Sequence, residues 1–145
     1  MLNTINVMLD DYALAPERAH LADAGLDIRS PFDCVVSPHG MNGDGYAIIH
    51  TGVHVEIPKG YTIFLKSKSG LNVNYDITGE GVIDSGYTGE IVVKLYNHCE
   101  TPYEIHRGDK IIQMVVLPVE LPIVKIVDKF DETERGDAGF GSTGR

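Results

Sequence analysis

The apolar residues of this chain come in short, β-branched runs, each stopped by glycine, proline or Asx residues before a helical period can establish itself. Gly52 to Ile57 ends at Pro58-Lys-Gly60, Tyr61 to Leu65 ends at Ser67-Lys-Ser-Gly70, and Gly81-Val-Ile ends at Asp84-Ser-Gly86. With 16 glycines and 7 prolines in 145 residues, breaks recur every few positions along the whole length. Such spacing predicts one all-β domain, a short-stranded antiparallel barrel or jelly-roll-like sandwich.

Taken in order, Ile5, Val7 and Leu9 alternate as an opening strand, and Pro16 to Ala24 is the most helix-like fragment. Ala24 to Ser30 runs into Cys34-Val-Val36 as strand, and Asn42-Gly-Asp-Gly45 is a turn signal. Tyr46 to Ile49, Gly52 to Ile57 and Tyr61 to Leu65 read as strands, and Pro102 to Ile105 leads to a turn at Arg107-Gly-Asp109. Ile111 to Leu117 is almost wholly apolar and is expected to be buried on both faces, as core or subunit interface. Pro118 and Pro122 bracket a bend, and Ile123 to Val127 is expected as the last strand.

The formal net charge of −9 argues against stable binding to nucleic acid or to acidic membranes. It leaves room for a small anion, provided a metal ion or a local basic cluster offsets the charge. Cys34 and Cys99 are the only cysteines, too few for a disulfide framework, and the first residues carry no secretory pattern. No run reaches membrane-spanning length. A cytoplasmic setting is expected, the host cytoplasm if the chain is viral.

Chemistry concentrates in two places. Ser-Gly between two apolar runs, within Gly81 to Asn97, reads as the tight turn of a β-hairpin that carries Asp84 and Tyr87 at one end. A carboxylate near a ring could activate a water beside a stacked ligand. It could equally be a turn aspartate capping its own backbone. The second place is Arg135-Gly-Asp-Ala-Gly-Phe-Gly-Ser-Thr-Gly144, where a guanidinium, one ring and several glycines combine. Residues 1–134 are expected to form the barrel and residues 135–145 a flexible, nucleotide-closing tail. Gly139 to Gly144 spells G-x-G-x-x-G, but no strand-turn-helix context surrounds it. Zinc would need three or four ligands to converge, and His50, His54, His98 and Cys99 supply no such spacing.

Ala24 to Ser30, Ser67 to Leu71, Gly81 to Tyr87, Arg107 to Gln113 and Arg135 to Gly144, in that order, resemble the five motifs of the homotrimeric dUTPase family. The resemblance covers nearly the whole chain, and the ordered set is far more specific than any one motif. It implies a β-clip type barrel, a homotrimer and hydrolysis of dUTP to dUMP and pyrophosphate. That activity keeps uracil out of DNA and supplies dUMP for dTMP synthesis.

By resemblance, Asp84 is the base that activates water for attack on the α-phosphorus, and Tyr87 packs on the deoxyribose where a 2′-hydroxyl would clash. Gly81, Val82 and Ile83, with Ile91 and Val92, offer backbone to the uracil edge. A donor left unpaired by cytosine can give selectivity on the order of 10⁴. Lys68, Ser69 and Gly70 meet the phosphates, Gln113 meets the phosphates or the water network, Asp27 holds Mg²⁺ through its water shell, and Phe140, Gly141, Ser142 and Arg135 close over the nucleotide. The implied sites lie at subunit interfaces, each with a tail contributed by another subunit.

Two positions depart from the family pattern. Ser67-Lys68 stands where the family has Pro-Arg, so a point charge replaces a bidentate fork. Ala138-Gly139 stands for Gly-Gly, a change that costs ~1 kcal/mol if the position needs a positive φ. One rival is a dCTP deaminase of the same fold, which would want a glutamate base near the hairpin, with Glu80 and Glu90 the available residues. Another is a regulatory protein whose dUTP-dependent tail closure binds a partner.

Overall fold

The computed structural model describes residues 2–40 and 44–139. Its strands are β1 (Asn6–Leu9), β2 (Gly25–Arg29), β3 (Cys34–Val36), β4 (Tyr46–Glu56), β5 (Tyr61–Ser67), β6 (Ile77–Thr78), β7 (Glu80–Asp84), β8 (Glu90–Asn97), β9 (Tyr103–Ile105) and β10 (Lys110–Pro118), with one helix, α1 (Ser69–Tyr75). They form two four-stranded antiparallel sheets, ordered β1-β4-β8-β6 and β2-β10-β5-β7, and a small β3-β9 pair. The all-β, jelly-roll-like expectation holds.

Strand alternation builds the core. On β8, Ile91, Val93 and Leu95 turn inward while Val92 and Tyr96 face out. They meet Ile49, Val53 and Val55 of β4 and, from the second sheet, Ile28, Ile63, Leu65, Ile83, Ile112 and Met114 in one apolar cluster. β4 is a single strand where two were expected. It bulges at Gly52 (φ +67), where a side chain would strike the Tyr12 ring at 2.7 Å.

Several expectations fail for identifiable reasons. Pro16 to Ala24 is not helical. It has no apolar face to bury, Leu21 being fully exposed, and Glu17 exchanges backbone hydrogen bonds with Asp27 instead. The helix forms at Ser69–Tyr75, just where a chain break was expected, and Asp76 ends it in the left-handed region at φ 51. Ile123 to Val127 forms no strand, and Ile123 is 95% exposed. β10 is not buried on both faces, since Gln113, Val115 and Leu117 remain half-exposed. Finally, β7 and β8 are not a paired hairpin: they belong to different sheets.

Candidate active site

The separation of β7 from β8 creates the site. β7 spends one edge on β5, from Thr62 opposite Asp84 to Lys66 opposite Glu80. β8 pairs with β4 along one edge, while on the other β6 reaches only Tyr96 and Asn97. Among the described residues, the second edge of β7 and that of the first half of β8 therefore have no ladder partner. They line an open cleft of about 350 Å³ together with Asp84 and Tyr87. Ile83 and Ile91 point their side chains into the core, so the cleft meets their backbone. All the residues expected to read a base edge, Gly81, Val82, Ile83, Ile91 and Val92, lie on this one cleft. Peptide groups on strand edges present donors and acceptors at fixed spacing, as recognition of a flat heterocycle requires.

Asp84 stands exposed at the cleft mouth. The loop after it, residues 85–89, turns through Gly86 (φ 91), with the Tyr87 N–H donating to the Asp84 carbonyl at 3.2 Å. Tyr87 folds back over Gly89 and donates its hydroxyl to the Glu90 carbonyl at 2.9 Å. A β-carbon on Gly89 would lie 2.5 Å from that hydroxyl.

Two side chains that the sequence suggested only for other roles, His54 and Glu90, fix this loop and the start of β8. His54 Nδ1 donates to the Thr88 carbonyl at 3.0 Å, and its Nε2 lies 3.4 Å from the Asp10 carboxylate. Both ring nitrogens thus face acceptors. The Thr88 carbonyl foremost raises the imidazole pKa, against the effect of burial and with help from Asp10 and Glu90. Glu90 accepts from the bulge N–H of Gly52 at 2.8 Å and from the Tyr12 hydroxyl at 3.2 Å, and pairs with His50 Nδ1 at 2.7 Å. Burial pushes its carboxyl up, but the hydrogen bonds from His50, Gly52 and Tyr12 outweigh this and leave it below the ordinary range. Glu90 and His54 would be found from sequence only by knowing that the β4 bulge leaves an N–H to satisfy.

A second cluster gathers Asp27, Lys68, Ser69, Gly70 and Gln113. Gln113 stands between Asp27 and Lys66 in the sheet register and donates its amide to the Ser67 carbonyl at 3.1 Å. A side chain on Gly25 would meet the Gln113 amide oxygen at 2.4 Å, so glycine there leaves that amide its place. Ser69 and Gly70 open α1. Asp27 is 4% exposed and pairs with the ammonium groups of Lys68 and, at 2.7 Å, Lys110. Burial alone would raise its carboxyl pKa, but the two lysines prevail and hold it below the usual carboxylate value. Lys110 was not singled out from sequence, although it lies within Arg107 to Gln113. Among the described residues no three His, Cys, Asp or Glu side chains converge as a metal cage.

The two clusters do not meet within one chain. The Asp84 level of the sheet and the level of Lys66, Gln113 and Asp27 are four residues apart, about 13 Å along the strands. β5 and β10 also intervene between β7 and β2. Arg135 is exposed, its side chain donating to the Ala138 carbonyl at 3.0 Å. Ala138 avoids the anticipated strain, because Asp76 is the only non-glycine residue with positive φ among those described. Phe140, Gly141 and Ser142 lie outside the described residues.

Comparison with known proteins matches residues 11–144 to the dUTPase family model. The deoxyuridine 5'-triphosphate nucleotidohydrolase of Picosynechococcus sp. is 38% identical over 91% of this chain and 92% of its own length. That of Mus musculus is 36% identical over 96% of this chain and 83% of its own. Among solved structures, Staphylococcus bacteriophage 80alpha dUTPase with dUpNHpp superposes with a TM-score of 0.89 at 33% identity, covering 99% of this chain and 100% of that one. A mutant dUTPase from phage phi11 of S. aureus, whose structure reveals coordination of a structural Mg(II) ion, superposes with a TM-score of 0.78 at 31% identity over 88% of this chain and 99% of its own.

Proposed function

The chain belongs to the dUTPase family and hydrolyses dUTP to dUMP and pyrophosphate, and we propose the following division of that work among its residues. Uracil enters the cleft between β7 and β8 and pairs with the backbone of Gly81, Val82, Ile83, Ile91 and Val92. Fixed donors and acceptors there suit uracil and leave a group unsatisfied by cytosine. The Tyr87 ring packs against the deoxyribose and excludes a 2′-hydroxyl. Asp84 takes the proton of a water as its oxygen attacks the α-phosphorus. The bond from that phosphorus to the α,β-bridging oxygen breaks, and pyrophosphate leaves. Positioning contributes much of the acceleration, because an aspartate is a weak base at neutral pH.

Lys68, Ser69, Gly70 and Gln113 bind the phosphates, and Arg135, Phe140, Gly141 and Ser142 of the tail close over the nucleotide. The metal is Mg²⁺, and the donor set fits it: one carboxylate, Asp27, lies beside the phosphate-binding residues, each of its oxygens pairs with one lysine and keeps a lone pair for a metal-bound water, and strongly hydrated Mg²⁺ needs few protein ligands when phosphate oxygens supply the rest. Asp27 would hold it through its water shell. When bound, the ion offsets charge on the triphosphate.

The working unit is a homotrimer with sites at its interfaces. Asp84 and the phosphate-binding cluster stand at opposite ends of one sheet, so a single chain cannot bring both to one nucleotide. The exposed apolar residues of the segment after β10, Leu121, Ile123, Val124, Ile126 and Phe130, give the chain surface to cover against another copy.

The observation that carries the reading is the cleft, two unpartnered strand edges with Asp84 and Tyr87 at the mouth. Of the glutamates the deaminase alternative would use, Glu90 is committed to the β4 bulge, while Glu80 lines the cleft, largely exposed and 3.8 Å from Lys66, so substrate choice decides between the two readings. A panel of dUTP, dCTP, dTTP and UTP with Mg²⁺, read for pyrophosphate and ammonia, tests it. Pyrophosphate from dUTP should far exceed that from the others. Comparable turnover of UTP would remove the Tyr87 role, and ammonia from dCTP would move the chain to the deaminase branch.

A further inference from the structure

The walls of the cleft belong to different sheets, so no ladder bond between them sets its width. β7 is paired with β5 along its whole length. β8 is paired with β4, but that pairing lapses beside the cleft. Between the pairs His50–Val92 and His54–Glu90, residues 51–53 of β4 face only Ile91. One buried side chain bridges the lapse. Thr51 is fully buried, its hydroxyl donates to the Ile91 carbonyl at 2.6 Å, and its oxygen accepts from the Val53 N–H at 3.2 Å. Thr51 itself does not line the cleft.

Successive residues of a strand turn their peptide groups to opposite edges. The Ile91 carbonyl and the Asn97 N–H, which donates to the Gly45 carbonyl at 2.8 Å, both point toward β4. The Glu90 carbonyl points the other way, where it accepts the Tyr87 hydroxyl at 2.9 Å. Val92 shares the edge of Glu90 and so presents its N–H and carbonyl to the cleft. The residue just before it is the one that Thr51 holds.

We propose that Thr51 is a positioning residue for base recognition: by holding Ile91 to the β4 bulge it fixes the Val92 peptide at the reading distance from the edge of β7. This rests on the dUTPase reading above and narrows it. Val92 meets the base on the β8 side, and Ile91 links it to the bulge. Hydrogen bonds weaken steeply as distance and angle drift, so a loose wall reads uracil poorly and rejects cytosine poorly. Threonine suits the task. Its hydroxyl serves a peptide acceptor on β8 and a peptide donor on β4 at once, and its branched side chain is stiff at the first torsion.

Steady-state kinetics of the full chain on dUTP and dCTP with Mg²⁺, each variant assayed below its own melting temperature, test this. Thr51→Val keeps the shape and removes the hydroxyl. It leaves two peptide groups unpaired and lowers the melting temperature whatever else the residue does. If Thr51 also positions the wall, KM for dUTP should rise and the dUTP to dCTP ratio of kcat/KM should fall, each by about tenfold or more. Thr51→Ser, which keeps the hydroxyl, should restore the ratio. An unchanged ratio in Thr51→Val, however far its melting temperature falls, or a ratio that serine does not restore, overturns the positioning role.

Hydrogen exchange on the wild-type chain gives an answer that no variant's folding can spoil. Saturating dUMP should slow exchange of the Val53 amide, which donates to Thr51, by more than it slows the amides of the β3–β9 pair. Equal slowing at both places would uncouple the bulge from the cleft and overturn the proposal. If the wild-type chain releases no pyrophosphate from dUTP, the dUTPase reading and this proposal fall together. If it hydrolyses dUTP selectively while Thr51→Val keeps the full ratio, only this proposal falls.

Discussion

Asp84 is placed by its pairing opposite Thr62 at the end of β7, and Tyr87 by the hydroxyl it donates to the Glu90 carbonyl. Asp84→Asn keeps the size and the backbone turn but cannot accept the proton of water. It should lower kcat by about 10² or more while calorimetry shows binding of α,β-imido-dUTP largely intact. A fall of only a few-fold would make Asp84 a turn residue. Gly89 is a subtler handle. A methyl there meets the Tyr87 hydroxyl at 2.5 Å, and the half-exposed ring is free to swing away. Gly89→Ala should therefore leave the melting temperature almost unchanged while the preference for dUTP over UTP, measured as a ratio of kcat/KM, falls by about tenfold or more. Asp84 and Tyr87 could be singled out from sequence because they sit in an ordered motif, and the proposed roles of base and ring are what these variants test. Gly89 could not be given a reason there, since the reason is the path of a side chain folded back over it.

At the scale of elements, the loop of residues 85–89 is tethered at Thr88 by His54 of β4, and Glu90, just after it, is held on the β4 bulge. His54 gains its proton affinity from the Thr88 carbonyl and Asp10, so its folded pKa lies above the ordinary imidazole value of 6.5. A raised pKa contributes stability that is fully present below that value and is lost as pH rises through the folded pKa. The difference in melting temperature between wild type and His54→Gln should accordingly shrink as pH climbs above 6.5, with protection of the Thr88 to Glu90 amides in hydrogen exchange shrinking in parallel. A difference independent of pH would mean that the tether acts as a neutral hydrogen bond. Glu90 has the opposite sign: its lowered pKa contributes above the ordinary 4.5 and is lost as pH falls. Short β-branched runs made the strands legible. Pairing was not, because period-two alternation fixes which face a residue takes and says nothing about which strand lies beside it. β7 and β8 thus read as a hairpin when they are two edges facing across a cleft. α1 was illegible for a similar reason, since Gly70 and two asparagines mask a helix of about two turns that depends on its place after β5.

For the whole molecule, the separation of the two clusters is what supports the proposal of a shared site. With Asp84 at one end of a sheet and Asp27 and Gln113 near the other, the proposed trimer would complete each site by apposing one copy's cleft to another's phosphate-binding end. The tail then has a third role to fill, and residues 135–139 lie exposed with no strand or helix to fix them on their own barrel. If the tail closes over a neighbour's cleft, a subunit lacking residues 135–145 and a full-length Asp84→Asn subunit should each be inactive, and should complement when co-expressed. In a mixed ring of three, only one site joins an intact Asp84 to an intact tail from the adjacent chain, whichever subunit is in the majority. Random assembly makes about three quarters of the rings mixed, so roughly one quarter of wild-type activity should return. Differential tagging establishes that mixed trimers are present. Mixed trimers that form and stay dead would mean that each tail closes over the cleft of its own chain, and the shared-site assembly would be wrong.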